Sequence, residues 1–206
     1  KGDTVAVGDP MYATYEGVIR ASGAKMAPVP LDKKNNFIMQ PEDLEKALTA
    51  KTRVLILNSP HNPTGAVMSK RDFQKLSKLC VAHDLWVIAD EVYEELTFND
   101  NFHSPRDILE LFDRTITVSS ISKSHAAPGF RSGWAIGPED FCNRLLPLAE
   151  TILFGNQPFI ADMTALALSK PSKVASKMRE DYHRRAKLVR EELSRVSTLK
   201  PLMPEA

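Results

Sequence analysis

Ser120-Ile121-Ser122-Lys123 places two hydroxyls beside a primary amine, and Arg131 follows eight residues beyond the lysine. Hydroxyls and a planar guanidinium suit a phosphate, and an amine suits attack on a carbonyl. Such a set could hold a phosphorylated ligand next to a reactive lysine. Serines and a lysine after a strand are more often a solvated turn, so this stretch decides little alone. Two further polar loops change the balance. Ser59-Pro60-His61-Asn62-Pro63-Thr64-Gly65 holds an amide in a turn with two X-Pro bonds, candidates for cis peptides. Asp90-Glu91-Val92-Tyr93 puts a carboxylate directly after an apolar run, where it needs a cationic partner.

The three loops leave three runs that read as strands: residues 53–58, 85–89 and 115–118. The second is apolar enough to be buried on both faces of a sheet. In an open α/β sheet ligands sit beyond the carboxyl ends of the strands, so the loops should converge on one site. Around them the pattern predicts a first strand from Thr4, a helix from Met11 to Ser22, and an edge strand from Lys25 to Leu31 interrupted by Pro28 and Pro30. Helices follow from Pro41, which sits where a first turn tolerates proline, and from Ser69, a capping residue. Asn99-Asp100-Asn101 reads as a turn, as does Lys1-Gly2-Asp3. Residues 133–137 read as a strand antiparallel to its predecessor, then come helices over 138–148, 160–168 and 170–195. The last is charged, with Met178, Tyr182, Ala186, Val189 and Leu193 on one side.

Asn62-Pro63-Thr64-Gly65, Asp90-Glu91-Val92-Tyr93 and Ser120-x-Ser122-Lys123 with Arg131, in this order and spacing, resemble the pyridoxal-phosphate-dependent aminotransferases of the aspartate-aminotransferase-like fold. The resemblance runs from Gly2 to the helix around Tyr182. It implies a three-layer α/β/α sandwich on a mainly parallel sheet, binding pyridoxal 5′-phosphate. It implies that Lys123 forms the Schiff base and carries the proton, that Asp90 pairs with the pyridine nitrogen, and that Tyr93 and Asn62 hold the phenolic oxygen. Tyr12 would stack on the ring, against the alternative of a core tyrosine; Ser120, Ser122 and Arg131 would anchor the phosphate. Residues 1–168 would be part of the large domain, and residues 169–206 the interdomain helix and the start of a small domain. Relative to the family the chain lacks an N-terminal segment and most of the small domain, so it reads as a fragment. Residues 10–16, 82–86 and 122–126 look most like members that take the amino group of arginine, a basic amino acid, to pyruvate, a 2-oxo acid. The whole protein would be a homodimer.

A net charge of +1 gives no electrostatic reason to expect nucleic acid or an anionic membrane as partner. No apolar run reaches the ~18 residues of a membrane span. Cys80 and Cys142 lie in helical patterns without metal-ligand spacing, which favours a reducing, cytoplasmic setting. Glu94 and Glu95 read as solvated, and a metal-binding role for them with Asp90 and Glu91 is disfavoured because no histidine stands at ligand spacing. His61 is open between substrate contact and a structural turn role. A pyridoxal-phosphate lyase, or an aminotransferase-like sensor domain fused to a DNA-binding one, would share the cofactor residues.

Overall fold

A computed structural model of the chain describes residues 2–99 and 101–206. The expected turns at Lys1 and Asp100 therefore lie outside the described residues. Six strands form one sheet in the order β2-β1-β3-β4-β5-β6, with β1 Thr4–Asp9, β2 Lys25–Pro30, β3 Thr52–Asn58, β4 Trp86–Asp90, β5 Thr115–Ser120 and β6 Gly133–Ile136. All neighbours are parallel except β5 and β6. The two prolines of β2 sit on the edge, where a missing N–H costs no ladder bond. Helices α1 (Thr14–Ala21), α2 (Pro41–Ala47), α3 (Lys70–Ala82) and α4 (Leu109–Phe112) connect the parallel strands.

Side chains alternate across each strand, so β3 and β4 send alternate residues to opposite faces. On one face Leu55, Leu57 and Val87 join Phe73, Leu76 and Cys80 of α3 and Leu44 of α2 in a dry core. Ser69 starts α3 with a reciprocal capping box, its hydroxyl accepting from Asp72 N–H while the Asp72 carboxylate accepts from Ser69 N–H. The opposite face is covered by α1 at one end. At the other it meets α6 (Glu139–Leu153), whose Phe141 ring lies 6.2 Å from that of Trp86. The three layers and the mainly parallel sheet are those expected from the sequence.

Three local expectations need correction. β4 is not buried on both faces: Val87 and Ala89 are, but Trp86 is 41% exposed and Ile88 and Asp90 are only partly covered. The first helix starts at Thr14, leaving Met11 to Ala13 as a loop at the mouth of β1. Glu94 and Glu95 are half-buried; Glu94 accepts a hydrogen bond from Ser119 Oγ at 3.1 Å, a partner that the strand supplies and no local pattern announces.

After β6 and α6 come α7 (Pro158–Leu168) and α8 (Lys173–Ser194). The apolar side expected on the long helix is present in sequence but open in space, since Tyr182, Val189 and Leu193 are all exposed. Among the described residues, no helix is long and apolar enough to cross a membrane.

Candidate active site

The ends of β3, β4 and β5 are in register, Asn58 beside Asp90 and Asp90 beside Val118, so the polar residues after each strand open at one level. They line a cleft of about 420 Å³. All eight residues singled out in the sequence border it: Tyr12, Asn62, Asp90, Tyr93, Ser120, Ser122, Lys123 and Arg131. Two residues that the sequence reading passed over complete the arrangement, Asn58 on the cleft wall and Tyr15 behind it.

Asp90 ends β4 with its carboxylate fixed at both oxygens. Tyr15 Oη donates to Oδ2 at 2.5 Å, and the backbone N–H of Val92 donates to Oδ1 at 3.2 Å. Burial, and then the charge of Asp90, push the Tyr15 phenol far above its ordinary pKa, so it stays a donor. Asn58 donates from Nδ2 to the Asp90 carbonyl at 3.0 Å and accepts at Oδ1 from Asn62 N–H at 2.8 Å. One amide thus ties β4 to the loop that carries Asn62. In turn Asn62 Nδ2 donates to Tyr93 Oη at 3.2 Å, bringing an amide and a phenol to one point of the cleft. The peptide bonds Ser59–Pro60 and Asn62–Pro63 are both cis.

Lys123 lies on a single helical turn, α5 (Ile121–Ser124), in place of the loop implied by its sequence. Ser120 caps this turn, its hydroxyl oxygen accepting from Ser122 N–H at 3.3 Å and its proton remaining free to donate. Lys123 Nζ stands 5.7 Å from the centre of the Tyr93 ring. Its ammonium enters no ion pair or hydrogen bond among the described residues. Arg131 uses one N–H on the Pro128 carbonyl, at 2.9 Å, leaving four donors of the guanidinium. Two cations against one carboxylate make the cleft a net acceptor of negative charge.

His61 is set into its own turn. Its Nδ1 lies 2.7 Å from Thr64 Oγ1 within its own turn, burial lowers its pKa, and it is absent from the cleft wall. The contact with Thr64 fits a structural role in the turn. Tyr15 carried a weak signal, a second tyrosine one turn after Tyr12, and Asn58 another, a polar residue closing an apolar strand. Neither type says by itself which side chain will face the site.

The family model for aminotransferase class I and II matches residues 1–206. The arginine–pyruvate transaminase AruH of Pseudomonas aeruginosa is 46% identical over 204 residues, 99% of this chain and 52% of that protein. An aspartate aminotransferase of Pyrococcus abyssi is 35% identical over 97% of this chain and 53% of its own length. Among solved structures, the aromatic aminotransferase of Pyrococcus horikoshii superposes with a TM-score of 0.94 at 35% identity, covering 100% of this chain and 56% of that one. The chain spans about half the length of the curated relatives it matches. Motif order, sheet topology and likeness along the whole chain agree, and the chain belongs to the class I and II aminotransferases.

Proposed function

We propose that the full-length protein is a pyridoxal-phosphate-dependent aminotransferase that moves an amino group from arginine, or another basic amino acid, to a 2-oxo acid such as pyruvate. The observation that carries the class is the meeting of Lys123 and Asp90 in one cleft with Ser120, Ser122 and Arg131. The donor and acceptor rest on the 46% identity to a protein named for them. No observation favours a lyase or a sensor domain.

The residues fit the cofactor by their chemistry. The positive surplus, two hydroxyls and the four unused guanidinium donors suit a phosphate dianion. The Asp90 carboxylate, with lone pairs left after Tyr15 and Val92, can take a ring N–H. When bound, pyridoxal phosphate supplies an aldehyde for amines and a ring that accepts the electron pair released at the substrate Cα.

Around that chemistry each side chain has one task. With the cofactor bound, Lys123 would bond to the aldehyde carbon with loss of water; once substrate displaces it, its amine would take the proton from the substrate Cα and deliver it to the former aldehyde carbon, general base and then general acid. Asp90 would keep a positive charge on the ring nitrogen, and Tyr15 and Val92 N–H hold that carboxylate in place. Asn62 and Tyr93 would donate to the phenolic oxygen, Tyr12 would face the ring, and Arg131 would offer the phosphate a bidentate fork. Residues 1–168 form part of the large cofactor-binding domain, and 169–206 the interdomain helix and the beginning of a small domain. We place the protein in the cytoplasm, in line with its two free cysteines, as a homodimer.

Borohydride reduction of the full-length protein with its cofactor, followed by peptide mapping, is expected to leave a pyridoxyl group on Lys123. Arginine and pyruvate should then yield alanine. A label on another lysine rejects the site, and ammonia without alanine rejects the transferase reading.

A further inference from the structure

The turn that carries Lys123 is too short to hold itself. Four residues close a single helical turn, and an isolated turn costs more chain entropy than its bonds return. Its C-terminal carbonyls also have no partners within the helix. Ser124 ends the turn almost fully buried, where water cannot serve its carbonyl. A distant residue does so instead: Ser172 Oγ donates to the Ser124 carbonyl at 2.6 Å.

The same hydroxyl accepts from Ala175 N–H at 3.1 Å and thereby caps α8. Its proton is committed to the lysine turn and its lone pair to the long helix. Ser172 and Ala175 are both buried, so the junction is dry. Farther along, α8 packs on the 94–96 turn that follows Tyr93, and His183 stacks on Phe98 with ring centres 4.7 Å apart. One rigid helix therefore touches the turn of Lys123 with its first residues and the turn of Tyr93 with its body.

We propose that Ser172 is a positioning residue for Lys123, which acts through the Ser124 carbonyl and lets α8 set the lysine against Tyr93. The proposal rests on the reading of Lys123 as the cofactor-bearing amine. Without the Ser172 proton the carbonyl is left buried and unpaired. The turn can recover a partner only by tilting toward solvent, which moves Lys123 relative to Tyr93 and Asn62.

Two variants of the full-length protein separate this role from helix capping. Ser172→Gly removes the donor while glycine remains a serviceable cap, and Ser172→Thr keeps both functions. With pyridoxal phosphate bound, the pH midpoint of the cofactor's visible absorbance should be displaced in S172G and restored in S172T. In S172G, kcat should fall roughly tenfold with KM little changed. S172G with the parent's midpoint and kcat would overturn the proposal. So would S172G that does not fold, since the hydroxyl would then serve folding alone. A parent protein with no visible band and no borohydride label on Lys123 instead rejects the reading of the site itself.

Discussion

Leu55 and Leu57 of β3 vanish into a core, while Val54, Ile56 and Asn58, which alternate with them, stay partly open. β4 repeats the division, with Val87 and Ala89 inside and Trp86, Ile88 and Asp90 on the opposite face. One side of the sheet is buried under α2, α3 and α4, with an apolar core on its β3 and β4 residues; the other ends in the carboxylate, amide and hydroxyls of the cleft. Adjacent acids show the same split. Asp90 opens to the cleft, whereas Glu91 turns to Ser104, whose hydroxyl donates to Oε1 at 2.6 Å, and is nearly fully buried. A two-residue period thus lets one strand both build a rigid support and present reactive groups. The support can be stable because the chemistry is kept off it.

Substitutions on the two faces should therefore fail in different ways. Lys123→Ala is expected to have the largest effect, a loss of roughly 10⁴-fold in transamination, because nucleophile and proton carrier go together. Its thermal unfolding should stay close to the parent's, since the side chain is exposed; steady-state kinetics beside calorimetry reads both. Asp90→Asn should cost activity by about 10²–10⁴-fold, the equivalent of the roughly 3–5 kcal/mol of an ion pair deprived of one partner. Tyr15 can still donate to the new amide oxygen and only the Val92 N–H loses its acceptor, so stability should fall by no more than about 1–3 kcal/mol; a larger drop in unfolding free energy would break the comparison.

Phe73→Ala lies on the other face, with a side chain that has no exposure. It should lower unfolding free energy by about 3–5 kcal/mol in a denaturant titration, with kcat per folded molecule retained. The smallest effect belongs to Glu91, whose pKa burial pushes up to about 7 from 4.5. Since the folded state keeps this proton when the unfolded state has lost it, its contribution is full below pH 4.5 and is lost as pH rises toward 7. Glu91→Gln should flatten that decline, by at most about 3 kcal/mol across the window, as read from unfolding at a series of pH values.

The sheet was legible because its central strands are continuous β-branched and apolar runs, each closed by polar residues. The cleft was legible for a related reason: a carboxylate, an amide or an amine placed immediately after such a run has few ways to avoid the strand ends. Tyr15 was harder to see. Its spacing in α1 is that of a core residue, and only the register of α1 against β4 turns its hydroxyl to Asp90. Glu94 was read as solvated because two acids in succession usually are, and the Ser119 hydroxyl that receives it stands 25 residues away.

Residue order alone determined the family, the parallel sheet and the eight side chains at its mouth, because those depend on local pattern and on motifs kept at fixed spacing. Tertiary structure decided what holds them. The short helix under Lys123, its tie to Ser172 across 48 residues, the orientation of Asp90 by Tyr15 and the unequal cover of the two faces depend on groups far apart in the chain. A hydrogen bond is decided by where two atoms meet in space, and local periodicity carries no information about that meeting.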